Sequence, residues 1–231
     1  MDIRKQLDSR AEAGGADLWG VADLEPLLPE LGEAYGDYLT RLPRAISLAV
    51  IFPPEVIRQL RSGPTHTYLH YYRVVNVRLD DLVLGIANWL YRQGYCSFPV
   101  PASQRVGGGG LRGIFPHRLA AARAGLGWIG RSGCLVTPQW GPAVRLGTVL
   151  TDAPLPPDQP QPEQCGTCQA CVRACPAAAI AAADEPGDER VEAELCDRHL
   201  SRVRSQFGKR VCGMCLAVCP WIDGRGVAQA R

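Results

Sequence analysis

The chain contains no run of eighteen or more apolar residues, so no membrane-spanning helix is expected. Nor does it carry an excess of one charge: 25 lysines and arginines stand against 23 aspartates and glutamates, a formal net charge of +2. Its densest basic stretch, Arg198, Arg202, Arg204, Lys209 and Arg210, is interrupted and helix-spaced. Such a surface gives little counterion release on a polyanion, and nucleic acid is not expected as a partner. An apolar signal core is missing from the first residues, which open with Asp2, Arg4 and Lys5. A cytoplasmic setting is therefore expected, where thiols stay reduced and disulfides are rare. A working dinucleotide fingerprint is absent too. Gly108-x-Gly110-x-x-Gly113 has no helix opening on its last glycine, and around Gly125-x-Gly127-x-x-Gly130 a helical stretch precedes the glycines and a strand follows. That reverses the strand-turn-helix order that aims a helix N-terminus at pyrophosphate, and NAD is not expected.

Cysteine is what the chain does have, ten in all. Cys165, Cys168, Cys171 and Cys175, the last followed by Pro176, read C-x2-C-x2-C-x3-C-P, the bacterial ferredoxin run for 4Fe-4S ligation. Cys212, Cys215 and Cys219 with Pro220 form a shortened copy, and its missing ligand is most simply Cys196. In two-cluster ferredoxins the cysteine before each proline crosses to the other cluster. The expected sets are thus Cys165, Cys168, Cys171 and Cys219 for one cluster, and Cys175, Cys196, Cys212 and Cys215 for the other. Zinc closes its shell with four ligands, and two proline-terminated runs of this length exceed one such site. Cys96 and Cys134 lie outside both runs and read as small buried apolar residues.

At 231 residues, 46% hydrophobic and 21% charged, the chain suits one sizeable domain plus a small one. Helices are predicted over 1–13 and 29–42, and strands over 18–22 and 45–52. The second strand is nearly continuously apolar and so buried on both faces. Val75, Leu79, Leu82, Ile86 and Leu90 recur at helical spacing and predict a long helix over 68–93. A strand over 95–100, a glycine-rich loop holding Gly107 to Gly110, a helix over 117–124, and strands over 134–137 and 144–150 follow. Five prolines within 153–163 predict a stiff connector. The division is then an α/β domain over 1–152, a linker over 153–163 and a cluster module over 164–231, with an acidic solvated loop over 184–194.

Three stretches carry a family resemblance: Ala124-Gly125-Leu126-Gly127-Trp128-Ile129-Gly130, Leu146-Gly147-Thr148-Val149-Leu150-Thr151-Asp152, and the cysteine runs closing on Cys219-Pro220-Trp221. With them the chain resembles epoxyqueuosine reductase over roughly residues 1–222. The resemblance implies a nitroreductase-like mixed α/β core followed by a two-cluster ferredoxin-like module. It also implies cobalamin, held by a core like that of reductive dehalogenases. Gly125, Gly127, Gly130 and Arg131 are the candidate cofactor-binding residues. The family's acidic residue falls at Leu111 and its Glu-Arg pair at His117-Arg118, so His117 is the candidate proton donor, since imidazole titrates near neutral pH. Arg131 stands where the family has Lys, and the chain ends twelve residues past Cys219, short of the helical-repeat domain that longer members carry and that is associated with tRNA.

The expected function is an iron-sulfur oxidoreductase. It would pass low-potential electrons from a donor such as a ferredoxin or flavodoxin, through two 4Fe-4S clusters, to a corrinoid or small-molecule substrate. One alternative is an electron-transfer or corrinoid-activating protein with no organic substrate of its own. The other is epoxyqueuosine reduction on tRNA.

Overall fold

The computed structural model describes residues 2–104, 111–182 and 190–223. The glycines at 107–110 and most of the acidic loop lie outside the described residues. The chain forms two compact units, one from 1–50, 75–126 and 145–161, the other from 51–74, 127–144 and the chain from 162 onward. None of its described helices is long and apolar enough to cross a membrane.

The first unit opens with α1 (Ile3–Ala13), where the Asp2 carboxylate accepts the Arg4 N–H at 2.9 Å as an N-cap and Leu7 and Ala11, four apart, are buried. β1 (Leu18–Asp23) pairs antiparallel with β2 (Arg44–Ile51), Val21 opposite Ile46. Every β2 residue from Ala45 to Val50 is buried, as its apolar run requires. The helix expected over 29–42 is split: α2 (Leu28–Tyr35) stops at Gly36, whose φ of +115° no ordinary side chain tolerates, and a 3-10 turn (Asp37–Arg41) completes the stretch. α3 (Pro54–Arg58) is short, and α4 (His66–Arg92) is the long helix, with Leu79, Val83, Ile86 and Leu90 buried. β3 (Ser97–Val100), α5 (His117–Arg123), β4 (Trp128–Ile129), β5 (Leu135–Val136) and β6 (Val144–Thr151) follow. The main sheet runs β1-β2-β6-β3, with Phe98 of β3 antiparallel opposite Leu150 of β6, and β4 and β5 form a separate antiparallel pair. α4 lies directly on this sheet: a Cβ on Gly147 of β6 would fall 2.6 Å from Val83. A larger residue would wedge helix from sheet.

The proline-rich stretch is no free linker. Ala153 and Leu155 are buried, and Asp158 covers the open edge of β1. The Asp158 backbone N–H donates to Val21 O at 2.8 Å while its carboxylate accepts the Val21 N–H at 2.8 Å. Arg4 bonds the same carboxylate at 3.0 Å, and Gln161 donates to Gly125 O at 2.6 Å. An edge strand's unpaired groups are thereby satisfied within the unit.

The second unit contains α6 (Ala170–Ala174), α7 (Ala193–Phe207) and α8 (Met214–Ala217). It differs from the expected 164–231 module by recruiting 51–74 and 127–144, because side chains there cover the second cysteine run. Leu60 comes so close to Gly213 that a Cβ there would lie 2.5 Å away, Arg61 donates to Ala217 O at 3.3 Å, and Phe52 packs on Tyr68 with centroids 5.3 Å apart. These contacts are remote in sequence and leave no local signature.

Candidate metal centre

Each cysteine run is a tight turn leading into a short helix. Cys168 N–H bonds Cys165 O at 3.1 Å, Gly166 takes φ +52°, and α6 then carries Cys171 toward Cys175. In the second run Gly213 takes φ +84° before α8, and Cys219 N–H closes on Leu216 O at 3.2 Å. Cys165, Cys168, Cys171 and Cys219 line one cavity of about 260 Å³, together with Cys215, Arg131, Ser132 and Trp221. Gly130 leaves room beside it, since a Cβ there would stand 3.2 Å from Cys165 Sγ and 2.7 Å from Val136.

Electrostatics sort the sulfurs in the same way. Burial pushes the Cys219 thiol up to about 12, with Cys165, Cys171 and Cys168 adding to the shift. Burial likewise raises Cys171, which feels Cys165 and Cys168. Cys196 is raised by burial and then by Cys175 and Cys212, and Cys212 by burial and by Cys175. Cys215 rises well above its ordinary value, first through a hydrogen bond with Cys134 and then through burial; it also feels Cys212 and, from the other set, Cys171. Thiols crowded in this way cannot all ionise unless a cation neutralises them, which is the chemistry of an iron-sulfur donor set. Among the described residues no three His, Cys, Asp or Glu side chains converge on one point as a single-ion site would require. Sulfurs around a cavity suit a polynuclear cluster, and Cys165, Cys168, Cys171 and Cys219 line one.

Arg131 stands at this centre and is only 4% exposed. Its guanidinium donates to Cys168 O at 3.1 Å, Gly166 O at 3.0 Å and Ala182 O at 3.4 Å, which shapes the first cysteine loop. Trp128 and Trp221 meet edge to face at 4.8 Å and close one side. Gly127 is a packing glycine, for a Cβ would lie 2.0 Å from Val136 O. In the first unit Gly125 takes φ +75°, and a Cβ there would lie 2.6 Å from Gln159 O. Gly125 and Gly127 press on the chain's own backbone, whereas Gly130 faces the Val136 side chain and the Cys165 sulfur.

His117, in the first unit, is part-buried with both ring nitrogens engaged. Nε2 lies 3.0 Å from Pro101 O, which can only accept, so Nε2 carries the hydrogen; Nδ1 then accepts the Thr148 hydroxyl at 2.8 Å. Burial lowers its pKa to about 4 despite the Pro101 contact. At neutral pH the ring is uncharged and its one N–H is occupied, an arrangement that ties β6 to the segment after β3 rather than one that offers a proton. Cys96, expected to be buried, is exposed, its backbone N–H held by Asp152 at 2.8 Å. Cys134 is part-exposed and stands among the second set of sulfurs rather than in an apolar core.

A mixed α/β core carries two cysteine runs, and residues 164–222 match the 4Fe-4S double cluster binding domain, which marks an iron-sulfur protein. The chain is 36% identical over 198 residues to epoxyqueuosine reductase of Vibrio cholerae, a match spanning 77% of this chain and 49% of that protein. The chain spans half or less of the length of the curated relatives it matches. Its fold is that of a catabolic reductive dehalogenase (TM-score 0.77, 21% identity, 96% of this chain and 33% of that one). It is also that of an epoxyqueuosine reductase crystallised with a tRNA stem loop (TM-score 0.63, 21% identity, 96% and 66%). In sequence the chain is thus similar to epoxyqueuosine reductase, and its matched module is that of an iron-sulfur protein.

Proposed function

We propose that the chain is a reductase that passes single electrons through two 4Fe-4S clusters to the epoxide of a modified tRNA nucleotide. The observation that carries this reading is the 36% identity to epoxyqueuosine reductase across 77% of the chain, joined to a sulfur arrangement suited to two clusters. Removing the epoxide oxygen takes two electrons and two protons and leaves an alkene and water, so one-electron carriers must deliver twice. A cytoplasmic setting and a ferredoxin or flavodoxin donor suit that demand.

The expectation that nucleic acid is no partner is revised. It rested on a net charge averaged over the whole surface, whereas a stem loop presents a single splayed nucleotide that is recognised locally, and a relative has been crystallised with such a tRNA stem loop. A corrinoid, which one structural neighbour's B12-dependent dehalogenation brings to mind, would supply reductive bond cleavage when bound. With Gly125 and Gly127 packed against the chain's own backbone, no step is assigned to it.

The test is anaerobic turnover. The reconstituted protein, reduced with dithionite, is incubated with tRNA carrying epoxyqueuosine, with and without added cobalamin, and the nucleosides are read by mass spectrometry. Loss of one oxygen from the modified nucleoside is the expected result. No conversion in either arm, while the reduced clusters still pass electrons to an artificial acceptor, would favour the electron carrier instead.

A further inference from the structure

Of the eight cysteines expected to hold iron, Cys168 alone is exposed, and the other seven are partly covered. The loop that carries it has little packing at its tip: Gly166 and Thr167 are exposed as well, and a Cβ on Gly166 would meet no atom within 4 Å beyond its chain neighbours. Hydrogen bonds hold this tip instead. Besides the Cys168 N–H on Cys165 O, the buried Arg131 guanidinium reaches it, Nε donating to Cys168 O at 3.1 Å and Nη2 to Gly166 O at 3.0 Å. Nη1 donates to Ala182 O at 3.4 Å, next to a segment that is itself fixed, since Ala179 and Ile180 are buried and Ile180 bridges Val191. Arg131 stands on the β4-β5 turn, which is closed by the Gly130 N–H on Cys134 O at 2.9 Å, and it lines the cavity of Cys165, Cys168, Cys171 and Cys219.

A planar guanidinium with all three nitrogens engaged has its orientation fixed, and it fixes in turn the carbonyls it holds. An exposed thiolate with little packing around it stays on its iron only as firmly as its backbone is held. We propose that Arg131 is a positioning residue of the first cluster, the one expected on Cys165, Cys168, Cys171 and Cys219. Its fork clamps the exposed loop and so keeps the Cys168 sulfur on iron. The proposal rests on the reading of Cys168 as a ligand of that cluster.

The experiment takes anaerobically reconstituted wild type, Arg131→Met and Arg131→Lys, oxidises them with ferricyanide beside an iron(II) chelator, and follows iron release by absorbance. In that step a resting cluster gives one electron to ferricyanide and one iron(II) to the chelator; a three-iron cluster remains, and the freed thiolate takes a proton from water. EPR after re-reduction reads how much of each cluster survives, the first being the one whose signal Cys168→Ala abolishes. Arg131→Met is expected to lose iron from the first cluster about tenfold faster than wild type, the worth of one hydrogen bond to a charged group. The second cluster should keep its wild-type rate. Lysine, with three donors on a single point, should recover part of the difference. Equal rates in wild type and Arg131→Met overturn the proposal, and so does equal acceleration of both clusters or a lysine variant no better than methionine. If Arg131→Met takes up only about four irons, the lysine variant decides: about eight supports the clamp and about four overturns it. A Cys168→Ala protein that keeps about eight irons overturns the ligand reading itself, and the clamp with it.

Discussion

Burial holds His117 near 4, against its ordinary 6.5, and the sign of the resulting pH dependence follows. Between those values the unfolded chain binds a proton that the folded chain refuses, so the stabilisation is whole above about pH 6.5 and fades as pH falls toward about 4. The ceiling is about 3 kcal/mol. His117→Phe should lower the urea midpoint at pH 7 and show a flatter midpoint than wild type between pH 6.5 and 4.5. An unchanged pH slope would mean that the ring is not buried neutral. Gly127→Ala is expected to cost at least about 2 kcal/mol, because its methyl would strike the Val136 carbonyl, and to lower iron content as the β4-β5 pair shifts; thermal unfolding with an iron assay checks both. The two cysteine runs were legible in the sequence because iron-sulfur ligation writes its spacing locally. His117 was not, since Thr148 and Pro101 lie 31 and 16 residues away. Cys134 belongs to no motif.

At the scale of elements, α4 and β2 could be read directly, because a helical period of apolar residues and an unbroken apolar run each follow from where the side chains must go. The proline-rich stretch was read by composition, and composition misled. Proline makes a chain extended, but an extended chain can lie along a strand edge as readily as span a gap, and Ala153 and Leu155 were the apolar hints that it does so. Asp158→Ala removes the acceptor for both Val21 N–H and Arg4. It is expected to cost about 1–2 kcal/mol, read as a lower urea midpoint, and to raise aggregation as the β1 edge opens. A midpoint equal to wild type would show that the strap contributes nothing.

For the whole molecule, the cluster sets make a sharp expectation. Cys175→Ala should lose the cluster shared with Cys196, Cys212 and Cys215 and keep about four irons, with the surviving EPR signal being the one that Cys168→Ala abolishes. Survival of the other signal would reverse the grouping. The sequence placed the cysteine module after residue 163, yet its unit also draws on 51–74 and 127–144. A ribosome releases those pieces in order, at roughly 5–20 residues per second. Leu60 must therefore wait for Gly213 to emerge, and no nascent fragment that stops before Cys219 can offer iron the expected full set of sulfurs. Cluster loading is thus expected only after residue 219 has emerged, and whatever delivers the iron must meet a chain whose residues 51–74 were made long before its last cysteine.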